Sequence, residues 1–275
     1  MTAFRGSAAP PQSWNHFGFA VDDGIATLTF DRPQKLNALT FEVYADLRDL
    51  LTDLPQREDV RVLVITGTGR GFSSGGDVTE IIGELQKLDP RDLLAFTRMT
   101  GTVTQRMRDC PLPIIASVNG VAAGAGAVIA LAADLRLLAR SATFSFLFTR
   151  VGLSGGDMGS AYLLPRLIGL GRASELLLLG EQVTADRALA VGLANAVVDD
   201  SELSAATTEV ARRLAQGPAL AYAATKMLIS KQLDMNLGAA LELDSMTQAL
   251  LMKSVDHAEF YAAFREGRQP NWTGR

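Results

Sequence analysis

The stretch Ile114–Asp134, IIASVNGVAAGAGAVIALAAD, reads as a buried strand, a tight turn and a helix that opens almost without side chains. Ile114, Ile115 and Val118 form a short apolar run behind Pro113, and Asn119-Gly120 is a turn signal that ends the strand. From Ala122 to Ala127 every side chain is a hydrogen or a methyl group, so a ligand could lie directly against backbone amides there. Amides at a helix start lack partners within the helix and sit at the positive end of its dipole, which suits a developing anion. Small residues would equally allow close packing against a sheet. Gly124-Ala-Gly126-Ala-Val-Ile129 lacks the third glycine of a dinucleotide fingerprint, and no GK[ST] follows to make a phosphate loop.

A second stretch repeats the design. Val60–Gly67, VRVLVITG, reads as a buried strand that runs through Thr68–Phe72 into Ser73-Ser-Gly-Gly-Asp77 and a helical pattern from Val78 to Leu88. Upstream, His16–Val21 and Ile25–Phe30 alternate around Asp22-Asp23-Gly24 as a hairpin. Thr40 fits the N-cap of a helix that buries Val43, Leu47, Leu50 and Leu51. Arg91–Arg108 predicts a further helix with Leu94, Met99, Val103 and Met107 inside. Asp134–Ala139 alternates like a strand, Ala142–Phe148 holds Phe144, Phe146 and Phe148, and a third glycine-rich turn spans Val151–Gly159 before helix Ser160–Ile168. Helices 172–179 and 184–191 and a strand at 196–198 follow, and beyond residue 200 the pattern is wholly helical. The fold class is therefore α/β, with an N-terminal arm over residues 1–15, a core over 16–199 and a helical region over 200–275 that would form a lobe or an oligomer interface.

The 275 residues are 48% hydrophobic and 20% charged, enough for a sizeable core. A formal charge of −4 argues against nucleic acid as a partner. A single cysteine, Cys110, excludes an internal disulfide and suits the cytoplasm, and the longest uncharged apolar run, Val121–Ala133, is too short to cross a membrane.

Four stretches together resemble the crotonase superfamily, the enoyl-CoA hydratase/isomerase fold: Arg32-Pro-Gln-Lys-Leu-Asn-Ala-Leu39, Gly71-Phe-Ser-Ser-Gly-Gly-Asp77, Pro113–Asp134 and Gly152–Gly169. The resemblance implies a spiral of ββα turns, a homotrimer or dimer of trimers, and acyl-CoA thioesters as ligands, with coenzyme A the acyl carrier and no further cofactor or metal. It implies that the amides of Gly76 and Ala125 bind the thioester oxygen, and that Arg32, Lys35, Leu36 and Ser74 lie along the nucleotide and pantetheine. Two preorganised donors at an oxygen that becomes an enolate are worth several kcal/mol.

The chain departs from the hydratases of that superfamily at two positions. Where they carry glutamates, this chain has Val128 and Phe148, neither able to move a proton; Phe148 becomes a candidate acyl-chain contact. Asp157, in Gly155-Gly-Asp-Met-Gly159, falls where dienoyl-CoA isomerases and 4-chlorobenzoyl-CoA dehalogenases carry a catalytic aspartate. The resemblance to the dehalogenases would also imply a helper histidine on the helix after the first glycine turn, and here no histidine stands between His16 and His257. The expectation is an isomerase-like enzyme that moves a proton with Asp157, whose pKa a pocket of Phe144, Phe146 and Phe148 would raise. The alternatives are a hydratase with a non-standard site, an acyl-CoA hydrolase or decarboxylase, and a non-catalytic acyl-CoA-binding protein; for Asp157 the alternative is an N-cap of the helix after it.

Overall fold

The computed structural model describes residues 14–275. β1 (Gly18–Asp22) and β2 (Ile25–Phe30) form the expected hairpin. Asp22 pairs with Ile25, leaving Asp23 and Gly24 as a two-residue loop with φ of 48° and 77°, the left-handed pair that matches strand twist. Thr40 caps α1 (Phe41–Asp53) as expected, its hydroxyl accepting the Val43 N–H at 3.3 Å.

The chain then winds in repeated turns, each giving one strand to each of two sheets before a helical segment. The first holds β3 (Val62–Gly67), β4 (Gly71–Ser73), a π-turn at Val78–Ile82, α2 (Gly83–Leu85) and α3 (Pro90–Asp109). The second holds β5 (Ile114–Val118), β6 (Val121–Ala123) and α4 (Ala125–Ala132). The third holds β7 (Leu135–Ala139), β8 (Thr143–Ser145), α5 (Ser160–Ile168) and α6 (Leu170–Leu179). After β9 (Val183–Thr184), α7 (Ala185–Ala190) and β10 (Ala196–Val198) come α8 (Leu203–Ala215), α9 (Ala219–Gln232), α10 (Leu237–Leu251) and α11 (Val255–Glu266). The larger sheet runs β1-β2-β3-β5-β7-β10, parallel except for β1, and the smaller runs β4-β6-β8-β9, with β9 antiparallel. This is the ββα spiral that the resemblance implies.

Every residue of β5 is buried, as a central parallel strand covered on both faces requires. α8 lies against β3, β5 and β7, and Ser117 Oγ meets Thr207 Oγ1 at 2.9 Å across that contact. The helical C-terminal region thus starts with a helix that belongs to the core, burying Leu203, Ala211 and Ala215. α9 is tied on by Lys226, whose buried Nζ lies 2.7 Å from Asp134 and donates to Leu112 O at 2.9 Å.

Three expectations need correction. The short strands β4, β6 and β8 replace what reads as turn, helix start and unassigned aromatic segment; at three residues each they are too short to show a strand pattern, and they exist because neighbours pair with them. The helix over 78–88 is a π-turn followed by one short α-turn. Leu94, expected inside, is 48% exposed, whereas Met99, Val103 and Met107 are buried, because the start of α3 stands off the core and Phe96 is its first residue to join it. The expected arm at 1–15 lies outside the described residues up to position 13. Among the described residues no helix is long and apolar enough to cross a membrane.

Candidate active site

The first two glycine-rich turns interlock backbone to backbone. A Cβ on Gly126 would stand 2.3 Å from Ser73 O, and one on Gly75, where φ is +89°, would stand 2.8 Å from Ala123 O and 3.2 Å from Ala125 N. Only glycine permits that approach. On its other side the first turn lies along residues 36–39: Ser74 N donates to Leu36 O at 2.9 Å, Leu39 N to Gly75 O at 2.8 Å and Asp77 N to Leu39 O at 2.8 Å. In this parallel bridge the Gly76 N–H points to the opposite edge and stays free. Ala125 is the first residue of α4, so its N–H has no partner within the helix. Among the described residues neither amide makes a hydrogen bond.

Two features sharpen this polarity. α4 is buried along its whole length, and Arg136 caps its far end by donating from Nη1 to Leu131 O at 3.2 Å and Ala133 O at 2.5 Å. A cation at the C-terminus and bare amides at the N-terminus complement the helix dipole. Burial pushes the Arg136 guanidinium down to about 10, still protonated at neutral pH.

The Asp157–Gly159 turn packs against α4 and α3. Asp157 is half-buried, its Oδ1 accepts the N–H of Met158 at 2.9 Å, and Oδ2 has no hydrogen-bond partner among the described residues. The alternative role as a cap does not hold: α5 begins at Ser160 behind Gly159, and no side chain caps it. Burial raises the Asp157 carboxyl above its ordinary value, and the Met158 amide only partly offsets this. Of the aromatic residues expected beside it, Phe144 and Phe146 are fully buried in the core. Phe148 is 7% exposed and Val128 is fully buried.

Arg32, Lys35, Leu36 and Ser74 come together on one side of the first turn. Leu36 and Asn37 take left-handed backbone, and buried Asn37 fixes the loop by accepting from Arg32 N at 2.8 Å while donating to Thr68 O and Gly71 O. Arg32 is already engaged, donating to Glu80 at 2.7 Å and Ala38 O at 2.9 Å and lying 3.3 Å from Asp77. Lys35 is half-exposed and 4.0 Å from Asp77, and the Ser74 hydroxyl donates to Lys35 O at 3.3 Å. Asp77 caps the π-turn through Thr79 N and Glu80 N. Burial pushes its carboxyl up, but those two amides with Lys35 and Arg32 outweigh it and hold it below the usual range.

A cavity of about 620 Å³ opens beyond Arg32, lined by Asp31, Glu42 and Glu80 with Arg32 the sole lysine or arginine. Its sign is wrong for phosphates. His16, Glu42 and Asp46 at its edge bring their ligand atoms within 4.8 Å, the one grouping among the described residues that could hold a metal. His16 Nδ1 and Asp46 Oδ2 already satisfy each other at 2.7 Å.

The residue that sequence reasoning passed over is Tyr44. Its place on the apolar stripe of α1, three before Leu47 and seven before Leu51, was the available signal. Its ring is buried edge-on against Phe96 at 5.9 Å, and its hydroxyl lies 3.7 Å from the position of a Cβ on Gly76.

The Enoyl-CoA hydratase/isomerase family profile matches residues 20–275. The chain is 37% identical over 260 residues to the 1,2-epoxyphenylacetyl-CoA isomerase of Escherichia coli K12, covering 93% of this chain and 97% of that one. It is 31% identical to the trans-2-decenoyl-[acyl-carrier-protein] isomerase of Streptococcus mutans, covering 94% and 97%. A crystal structure from Streptomyces coelicolor A3(2), provisionally described as an enoyl-CoA hydratase, superposes with a TM-score of 0.95 at 58% identity over the whole of both chains. This chain belongs to the enoyl-CoA hydratase/isomerase family of the crotonase superfamily and is an acyl-CoA enzyme of that family, a lyase or isomerase.

Proposed function

We propose that this enzyme isomerises acyl-CoA thioesters through an enolate held by the Gly76 and Ala125 amides, with Asp157 as the single proton carrier. The observation that carries the reading is the conjunction of two free amides on interlocked turns, one half-buried carboxylate on the turn packed against α4, and apolar side chains at positions 128 and 148. Asp157 takes a proton from a carbon beside or vinylogous to the thioester, and the electron pair moves onto the thioester oxygen. Each amide is worth about 10²–10³ in rate at that oxygen. The protonated Asp157 then returns the proton to another carbon, so the double bond moves and no co-reactant is consumed.

Asp157 suits this role because burial makes its carboxylate a stronger base than an ordinary aspartate. Lys35, Leu36 and Ser74 stand where the carrier would pass, with Lys35 the better phosphate partner because Arg32 is already paired. Phe148 would border the acyl group. The apolar residues left exposed on α10 and α11, including Leu237, Leu250 and Phe264, would be covered by further copies in a homotrimer or dimer of trimers, and the cytoplasm is the fitting compartment.

The test is mass spectrometry of a panel of 2-enoyl-, 3-enoyl- and arylacetyl-CoA esters incubated with the protein in deuterated water. Deuterium uptake or a moved double bond is the expected outcome. Binding without exchange would overturn the reading in favour of a non-catalytic acyl-CoA-binding protein, and addition of water would overturn it in favour of a hydratase.

A further inference from the structure

Tyr44 is the strongest unabsorbed feature of the molecule. Its ring is fixed, 4% exposed and packed edge-on against Phe96, so the hydroxyl has little freedom to turn away. That hydroxyl lies 3.7 Å from where a Gly76 Cβ would be, with Ile81 Cδ1 3.8 Å from the same point. It makes no hydrogen bond among the described residues. The Tyr44 oxygen keeps some accessible surface, so a ligand can take the hydrogen bond that the phenol has to give. Helical spacing sets Tyr44 on the opposite face of α1 from Glu42 and Asp46, so it does not belong to the acidic cavity.

We propose that the Tyr44 hydroxyl is a third hydrogen-bond donor to the thioester oxygen, completing with the Gly76 and Ala125 amides the site that holds the enolate. The proposal rests on the enolate reading of the same site. An enolate oxygen accepts up to three hydrogen bonds, and a donor held in place beforehand gains strength as charge develops. Burial first, and the Asp157 carboxylate second, push the phenol far above its ordinary range, so Tyr44 remains a neutral donor at every working pH. The influence of Asp157 on the phenol sets the two groups within electrostatic reach of each other.

Tyr44→Phe removes the hydroxyl and keeps the ring against Phe96. Two readouts separate this proposal from the reading beneath it. The first is the rate of deuterium exchange into phenylacetyl-CoA. In the variant kcat is expected to fall about 10- to 100-fold, with KM within about twofold and an unchanged melting temperature. The second needs no turnover: the red shift of a chromophoric thioester, 4-dimethylaminocinnamoyl-CoA, on binding reports how strongly donors polarise its carbonyl. A smaller shift in Tyr44→Phe supports a third donor to the thioester carbonyl even if the parent protein exchanges nothing, an outcome that would overturn the isomerase reading while leaving the carbonyl site in place. Equal shift and equal exchange in the two proteins would overturn the proposal. So would a loss of exchange matched by a lowered melting temperature with the red shift retained, since that is a packing defect. A parent protein that neither shifts nor exchanges the probes overturns both readings.

Discussion

The amide half and the carboxylate half of the candidate site are built in opposite ways. At the first two glycine-rich turns, backbone rests on backbone: Ser73 on Gly126, Gly75 on Ala123 and Ala125, all within the buried core. At the third turn, residues 151–154 are exposed and the proposed functional group is a side chain, Asp157, half-buried with one oxygen unpartnered among the described residues. A site made of backbone cannot be removed by changing a functional group, only by spoiling its packing. A side chain can be exchanged without disturbing the fold. In such a division the amide half is costly to alter, whereas the side-chain half can change with little cost to the fold.

The largest effect is expected at the side chain proposed to carry the proton alone. Asp157→Asn keeps an oxygen for the Met158 N–H but abolishes the base, and deuterium exchange should fall about 10²- to 10⁴-fold. Its stability should not fall. A carboxyl whose pKa is raised by folding contributes stability at low pH that is lost as pH rises through the folded value, so at neutral pH the ionised Asp157 is a burden that Asn lifts. Thermal melting at pH 7 beside exchange rates checks both halves, and an exchange rate within threefold of the parent would place the base elsewhere.

Gly126→Ala is the opposite kind of change. Its methyl would sit 2.3 Å from Ser73 O and 2.7 Å from Ser73 Cβ, so the two turns must part. Stability should drop by about 1–3 kcal/mol. Displacing the amides by a fraction of an ångström up to 1 Å should cost about 10²-fold in exchange. The pairing of both losses distinguishes it from Asp157→Asn; an alanine tolerated without either would mean that the interlock does not hold the amides.

The same contrast governs how much could be read before the structure. β5, the hairpin and the Thr40 cap follow from local pattern, since alternation, turn residues and a capping side chain act over a few positions. β4, β6 and β8 do not, because three residues such as Val121–Ala123 gain strand geometry only from partners far along the chain. The small residues at 122–127 announce a close approach but not its partner, Ser73. Asp157 was visible as a carboxylate in a glycine-rich turn, yet its sequence position equally suited a helix cap, and only the left-handed backbone at Met158 and Gly159 starts α5 beyond its reach. Tyr44 was hidden among core positions because a phenol on an apolar stripe looks like packing. Arg32 resembled a phosphate ligand until its pairing with Glu80 and Asp77 came into view.

A gentler probe of the carboxylate half is pH. On the proposed mechanism exchange requires ionised Asp157, so the acid limb of kcat/KM should follow one group with an apparent pKa above the 3.8 of an ordinary aspartate, because burial disfavours the charged form. Activity falls as pH drops through that value, whereas any stability the group adds is present below it. A limb at or below 3.8 would mean that the carboxylate is solvated in the working enzyme. Tyr44 adds no limb in the neutral range, its phenol being held far above it.

The smallest effect belongs to the rim of the amide half. Lys35 is half-exposed, 4.0 Å from Asp77, and lies on the loop whose Leu36 carbonyl positions the first turn through Ser74 N. If it meets a carrier phosphate, Lys35→Ala should raise KM for acyl-CoA esters about two- to fivefold, the scale of about 0.5–1 kcal/mol for an exposed charge contact. The backbone course that aims Gly76 does not depend on the lysine side chain, so kcat should stay constant. Because the contact is solvated, the difference between parent and variant should shrink as ionic strength rises towards 0.5 M, where screening acts over a few ångströms. A change in kcat, or a KM difference indifferent to salt, would mean that Lys35 acts on the geometry of the first turn and that the rim is not separable from the amides it borders.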